Sequence, residues 1–260
     1  MGKHFRRSRR PASRDISTSL YVIGAVVLYL IGACGAAAAP QAFTAQYTVN
    51  KGGIPIGEMT RTLNPQTGGR YHYESITTAS GLLSLLVKDK FIEHSLWDYH
   101  DGAIRALEYR YEKSGGKSLK KVHLIFDWDQ RQVKNVLDGE TRAMPVPKGL
   151  TDILLYQLVL MTDLQNGKKP LEYPIADKHK FKTYRFDIAG EEMLDTPLGK
   201  LKTVKVQRVP GPDKKTTLIW CAPGLDYLPV RIEQNEQDDG EFSMVLTAAT
   251  GLPASVERVP

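Results

Sequence analysis

From Phe43 onward the apolar residues of this chain recur at every second position, in short runs broken by Gly, Asp and Asn. Phe43, Ala45, Tyr47 and Val49 share one side of the first run, and Asn50-Lys51-Gly52-Gly53 interrupts it. Period two places alternate side chains on one face of an extended strand, whereas a helix needs spacings of three and four. Further runs of this type lie at 54–63, 70–79, 90–97, 104–111, 122–128 and 132–137, and again at 181–189, 201–209, 216–220, 228–234 and 242–247. Their separators, Gly68-Gly69, Asp101-Gly102, Gly115-Gly116, Asp129-Gln130 and Asp138-Gly139, are residues that tolerate the backbone of tight turns. Asp195-Thr196-Pro197-Leu198-Gly199 reads as a reverse turn and Asp238-Asp239-Gly240 as a hairpin turn. Short strands joined this way predict an antiparallel meander rather than alternating β-α-β units.

One segment breaks the pattern. Residues 150–164 are rich in Leu and apolar nearly all the way round, which predicts a helix packed deep in the protein rather than on its surface. Thr151 or Asp152 can cap its start, and Asn166-Gly167 can end it. Gly81–Val87 is a second apolar stretch, read as either helix or loop. The expected fold is therefore mainly β: an antiparallel curved sheet or incomplete barrel with one buried α-helix. No linker, repeat or low-complexity block divides residues 40–260, so they are expected to form a single β-rich domain.

The first 39 residues differ in kind. No charged residue lies between Asp15 and Lys51, and residues 20–33 are strongly apolar behind a cluster of Lys3, Arg6, Arg7, Arg9, Arg10 and Arg14. A basic region, an apolar run and then small residues form an export signal, which predicts a protein of the periplasm or cell envelope. Three fates of residues 1–39 are open: cleavage most simply after Ala38, lipidation at Cys34 within Ile31-Gly32-Ala33-Cys34-Gly35, or retention as a membrane anchor of about 20 low-polarity residues. This segment also accounts for the basicity. The formal net charge is +6, but six of the 35 basic and one of the 29 acidic residues precede position 34, leaving a nearly neutral remainder. A neutral domain generates little field to attract polyanions, so no nucleic-acid partner is expected, and membrane contact is expected only through the N-terminal segment.

Signatures of chemistry are missing. There is no G-x-S-x-G, P-loop, G-x-G-x-x-G or H-E-x-x-H, so no catalytic residue, metal or cofactor is expected. Cys221 reads as a small buried apolar residue. His72, His94, His100, His123 and His179 have no metal-ligand spacing, and adjacent Glu191 and Glu192 face opposite ways on a strand. Lys113, Lys117, Lys120 and Lys121 read as a solvated hairpin. The aromatic pairs Tyr71/Tyr73, Tyr109/Tyr111, Phe126/Trp128 and Tyr184/Phe186 each share a strand face, as core packing requires.

The stretch from Tyr47 to Gly57, and the run Gly190-Glu191-Glu192 … Thr196-Pro197-Leu198-Gly199 … Trp220 … Leu228-Pro229-Val230-Arg231 … Gly240, resemble a family of exported bacterial proteins called domain of unknown function 3108. Asp152 and Tyr156 fall where that pattern expects them. The resemblance implies export and carries no activity. The final strands, with Trp220, Leu228-Pro229-Val230-Arg231, an acidic turn and a last strand, also resemble the end of periplasmic lipoprotein carriers, which implies an incomplete barrel with helices over an apolar cavity. Two functional expectations follow. The first is a non-enzymatic binder of a lipid or other apolar ligand, or of an envelope partner, with Trp97, Trp128, Tyr156 and Trp220 lining the cavity. The second is an envelope hydrolase whose site is assembled from distant strands, which needs His94, Asp98, His100 and Asp101 to converge.

Overall fold

The computed structural model describes residues 40–252, apart from short segments at 82–83, 85–87, 116–118, 138–139, 178–179, 212–214 and 237–239. The export segment, Cys34, His179 and Lys117 lie outside the described residues, as do most of residues 81–87. Among those described, the strands in chain order are β1 (Phe43–Lys51), β2 (Ile54–Pro65), β3 (Arg70–Ala79), β4 (Lys90–His100), β5 (Ala103–Ser114), β6 (Lys120–Asp127), β7 (Gln132–Leu137), β8 (Glu140–Pro145) and the two-residue β9 (Thr151–Asp152). Helix α1 (Tyr156–Gln165) follows, then β10 (Leu171–Asp177), β11 (Lys180–Thr196), β12 (Gly199–Arg208), β13 (Thr216–Ala222), β14 (Leu228–Glu236) and β15 (Gly240–Thr250).

All fifteen strands form one sheet in the order β8-β7-β6-β5-β4-β3-β2-β1-β15-β14-β13-β12-β11-β10-β9. Neighbours in space are neighbours in sequence, as a meander requires, except at the centre, where β1 pairs antiparallel with β15. The sheet is not closed into a barrel, yet it has to curl. Its two edges, β8 and β9, are joined by residues 146–150 alone, a connection that spans at most about 20 Å, whereas fifteen strands laid flat at ~4.8 Å each are several times wider. The edges are thereby drawn together, and Asp152 of β9 reaches Ser95 on β4.

Helix α1 lies within this curl. Leu158 and Met161, with Leu154 and Leu155 just before the helix, join the core built on β1–β7. Tyr156, Leu160 and Leu164 join a second cluster with Tyr173, Phe186, Val206, Ile219, Cys221 and Ile232 from β10–β14. A helix gripped on both sides needs apolar residues all round, as its sequence has. It starts later than the capping residues suggest, because Thr151 and Asp152 pair in parallel with Ile175 and Ala176 of β10. Asp152 nevertheless stops the turn that feeds the helix: its Oδ1 accepts the N–H groups of Leu154 at 2.9 Å and Leu155 at 2.7 Å. At the other end Gly167 adopts φ 63° and its N–H donates to Leu164 at 3.1 Å, the expected exit. The strands β8 and β10 have no counterpart in the sequence reading. β8 is an edge, and β10 carries Pro174, which is tolerated because β9 covers only Ile175 and Ala176 of its free side.

Candidate functional site

Between α1 and the inner faces of β1, β2 and β4 lies a pocket of about 500 Å³. Phe43, Leu63, Trp97, Leu158 and Met161 form its buried wall. Strand alternation points Phe43, Leu63 and Trp97 inward, and the helix supplies the opposite side. The rim is polar, with Gln41, Thr162, Gln165, Asn166 and Asp226, and it includes Pro40 and Leu252, the first and last described residues. Such a volume with apolar walls and few polar groups is ordinary for a small-molecule site.

Behind that lining, two residues further along the faces of β2 and β4, the buried interior turns polar. Arg61 follows Leu63 inward, Ser95 follows Trp97, and Gln157 precedes Leu158. Arg61, only 4% exposed, donates from Nη1 to Gln157 Oε1 at 2.5 Å, and its guanidinium carbon lies 5.4 Å from the centre of the Tyr47 ring. Arg61, Ser75 and Glu93 are register partners across β2, β3 and β4. Tyr109 donates its hydroxyl proton to Glu93 Oε1 at 2.8 Å, and burial holds the Glu93 carboxyl above the usual carboxylate range. Ser95 Oγ donates to Asp152 Oδ1 at 2.8 Å. Burial outweighs this bond and the two backbone N–H groups, so the Asp152 carboxyl is pushed up to about 7. Arg61 Nε, Trp97 Nε1, Ser75 Oγ and Asp152 Oδ2 are buried without a hydrogen-bond partner among the described residues.

The four aromatic residues singled out in the sequence go to different places. Trp97 is on the pocket wall, stacked on Tyr71 with ring centres 4.4 Å apart. Trp128 stacks on Phe126 and donates to Ala106 O at 2.7 Å. Tyr156 packs on the far side of the helix, against Tyr173, Tyr184 and Phe186. Trp220 donates to Glu192 beneath the cations of Lys205 and Arg231. Cys221 is fully buried in the second cluster, and burial pushes its thiol well up, so it stays a neutral packing group.

His94, Asp98, His100 and Asp101 do not converge. The first three are spread along one face of β4, the outer two roughly 20 Å apart at ~3.3 Å per residue. Asp98 is held by Arg105 through bonds of 2.9 and 2.6 Å, and His100 and Asp101 form an exposed pair at 3.6 Å. His94 instead joins an outward-facing polar row with Glu74, Arg110 and His123, in register across β3–β6. Its Nδ1 is 3.1 Å from both Glu74 Oε2 and His72 Nε2. Among the described residues, no group of three or more His, Cys, Asp or Glu side chains is placed to hold a metal ion. None of those residues forms a helix long and apolar enough to cross a membrane.

The sequence reading passed over Arg61 and Glu93, and gave Asp152 only as a cap and as a position the family pattern expects. The signal was present in the phase of the alternation, since Arg61 falls between Met59 and Leu63 on the core face of β2, and Glu93 between Phe91 and Ser95 on that of β4.

Fold and pocket together define an open, curved antiparallel sheet wrapped around one helix, with an apolar pocket at one end of the interior. The chain belongs to the family described as protein of unknown function (DUF3108), whose model matches residues 43–247. No curated protein matches it. Among solved structures it is similar to a β-barrel-like protein of the domain of unknown function DUF1849 from Brucella abortus, at 8% identity and a TM-score of 0.52, over 82% of this chain and 98% of that one. A candidate lipoprotein from Parabacteroides distasonis matches at 9% identity and a TM-score of 0.33, over 82% of this chain and 96% of the other.

Proposed function

We propose that this chain is an exported envelope protein that binds a lipid-like apolar ligand between α1 and the curved sheet. The pocket of about 500 Å³ walled by Phe43, Leu63, Trp97, Leu158 and Met161 carries the reading. Each CH₂ moved from water into such a wall contributes ~0.8 kcal/mol, so an acyl chain of ordinary length gains enough to offset the cost of association. The export signal at residues 1–39 supports an envelope location, where acyl chains are abundant.

Native mass spectrometry of protein purified from its own envelope tests this reading. A bound species of lipid mass is expected. Its occupancy should fall in Met161→Trp, whose larger ring takes up pocket volume, while the melting curve checks that this variant folds. Ligand-free protein that also fails to take up added lipid would overturn the reading.

A further inference from the structure

We propose that the ligand is a single-chain amphiphile with a carboxylate head, and that it enters head first to reach Arg61 and Trp97 while its tail fills the apolar pocket. This deepens the apolar-ligand reading and rests on it.

The arrangement of charge sets the direction. Gln41, Thr162, Gln165 and Asn166 on the rim are uncharged and Asp226 is acidic, so an anionic head at the mouth meets no cation there. The cation is inside. Arg61 cannot lose its proton, it is 4% exposed, and its partner Gln157 is neutral. Glu93, the carboxyl that acts on Arg61, is displaced by burial toward its neutral form.

Unmet donors identify the head. Trp97 Nε1, on the pocket wall itself, and Arg61 Nε, two strand steps deeper and behind that wall, are buried N–H groups without a hydrogen-bond partner among the described residues. A buried unsatisfied donor is rare in folded proteins and destabilising. A hydrocarbon or a methyl ester brings no charge to Arg61. A carboxylate supplies two acceptor oxygens, takes the place of Gln157 beside the guanidinium and makes the stronger, charge-assisted bonds. Ser75, the register partner of Arg61, adds a hydroxyl that is also unpartnered.

Dodecanoate and dodecanol, one tail with two heads, separate the possibilities when titrated calorimetrically into delipidated wild-type protein at pH 8. The acid should bind at least tenfold more tightly than the alcohol. Trp97→Phe keeps the ring stacked on Tyr71 and removes only the N–H. It should weaken the acid by roughly three- to tenfold, the scale of one lost hydrogen bond, and leave the alcohol unchanged. Arg61→Lys should weaken the acid further, with a melting curve recorded to verify folding. Equal affinity of wild type for acid and alcohol, or equal weakening of both by Trp97→Phe, overturns the head-first carboxylate and leaves the apolar-ligand reading standing. Failure of both compounds to bind overturns both readings.

Discussion

Asp152 is fully buried, accepts three hydrogen bonds on one oxygen and has none on the other. Its position gives the protein an unusual response to pH. An unfolded Asp titrates near ~3.9, whereas burial moves this one up to about 7. Between those values the folded chain keeps a proton that the unfolded chain has lost. The contribution of Asp152 to stability is therefore complete below about pH 4 and is lost as pH rises through 7, by up to ~4 kcal/mol at ~1.36 kcal/mol per unit. Asp152→Asn keeps the Oδ1 acceptor and cannot titrate. Denaturant midpoints of the two proteins, compared from pH 5 to 8, should shift in favour of the Asp152→Asn variant as pH rises; a difference that does not vary with pH would refute this. At this scale the sequence was least legible. Asp152 could be read as a cap, but its burial follows from β9 tucking against β4, which no local pattern records.

Elements were far more legible, because alternation and turn chemistry are local. The strands from β1 to β7 follow their period-two runs, and α1 sits within its apolar run with Asn166-Gly167 at its exit. The elements that went unread, β8 and β10, are polar or interrupted by proline, and are held by their neighbours rather than by their own pattern. Where two elements meet closely, one atom matters. Gly251, at the end of β15, has φ 81°, and a Cβ placed there comes within 2.1 Å of the carbonyl oxygen of Ala42 beside β1. Gly251→Ala meets both a left-handed backbone and a backbone clash, and should cost ~2 kcal/mol or more. Thermal unfolding should show a midpoint lowered by several degrees. An unchanged midpoint would mean that the β15 end is free to move away.

For the whole molecule, the consequential pairing is the central one. β2–β8 and β14–β10 are two meanders of local hairpins, the second extended by the parallel β9, and β1 with β15 joins them, for example through Tyr47 opposite Leu246. Pairing residues some two hundred positions apart closes a long loop before any contact offsets its entropy, so folding should be slow, in the millisecond-to-second range or beyond. The core on β1–β7 also includes Leu228, Val230 and Leu246 from across the join. Both meanders should therefore unfold together: urea transitions followed by tryptophan fluorescence and by far-ultraviolet circular dichroism should coincide. Two separated transitions would show that each meander stands alone. No single run of residues announces the central pairing, and so the sequence could predict a curved sheet without predicting where its ends meet.

The same join has a practical consequence. Because β1 and β15, the first and last strands of the sheet in chain order, lie side by side, Pro40 and Leu252 both stand at one doorway, that of the apolar pocket. A bulky group joined directly beside either of these residues would narrow the threshold that a ligand has to cross. A label inserted at Gly52-Gly53, in the turn between β1 and β2 at the far end of both strands, leaves that threshold clear.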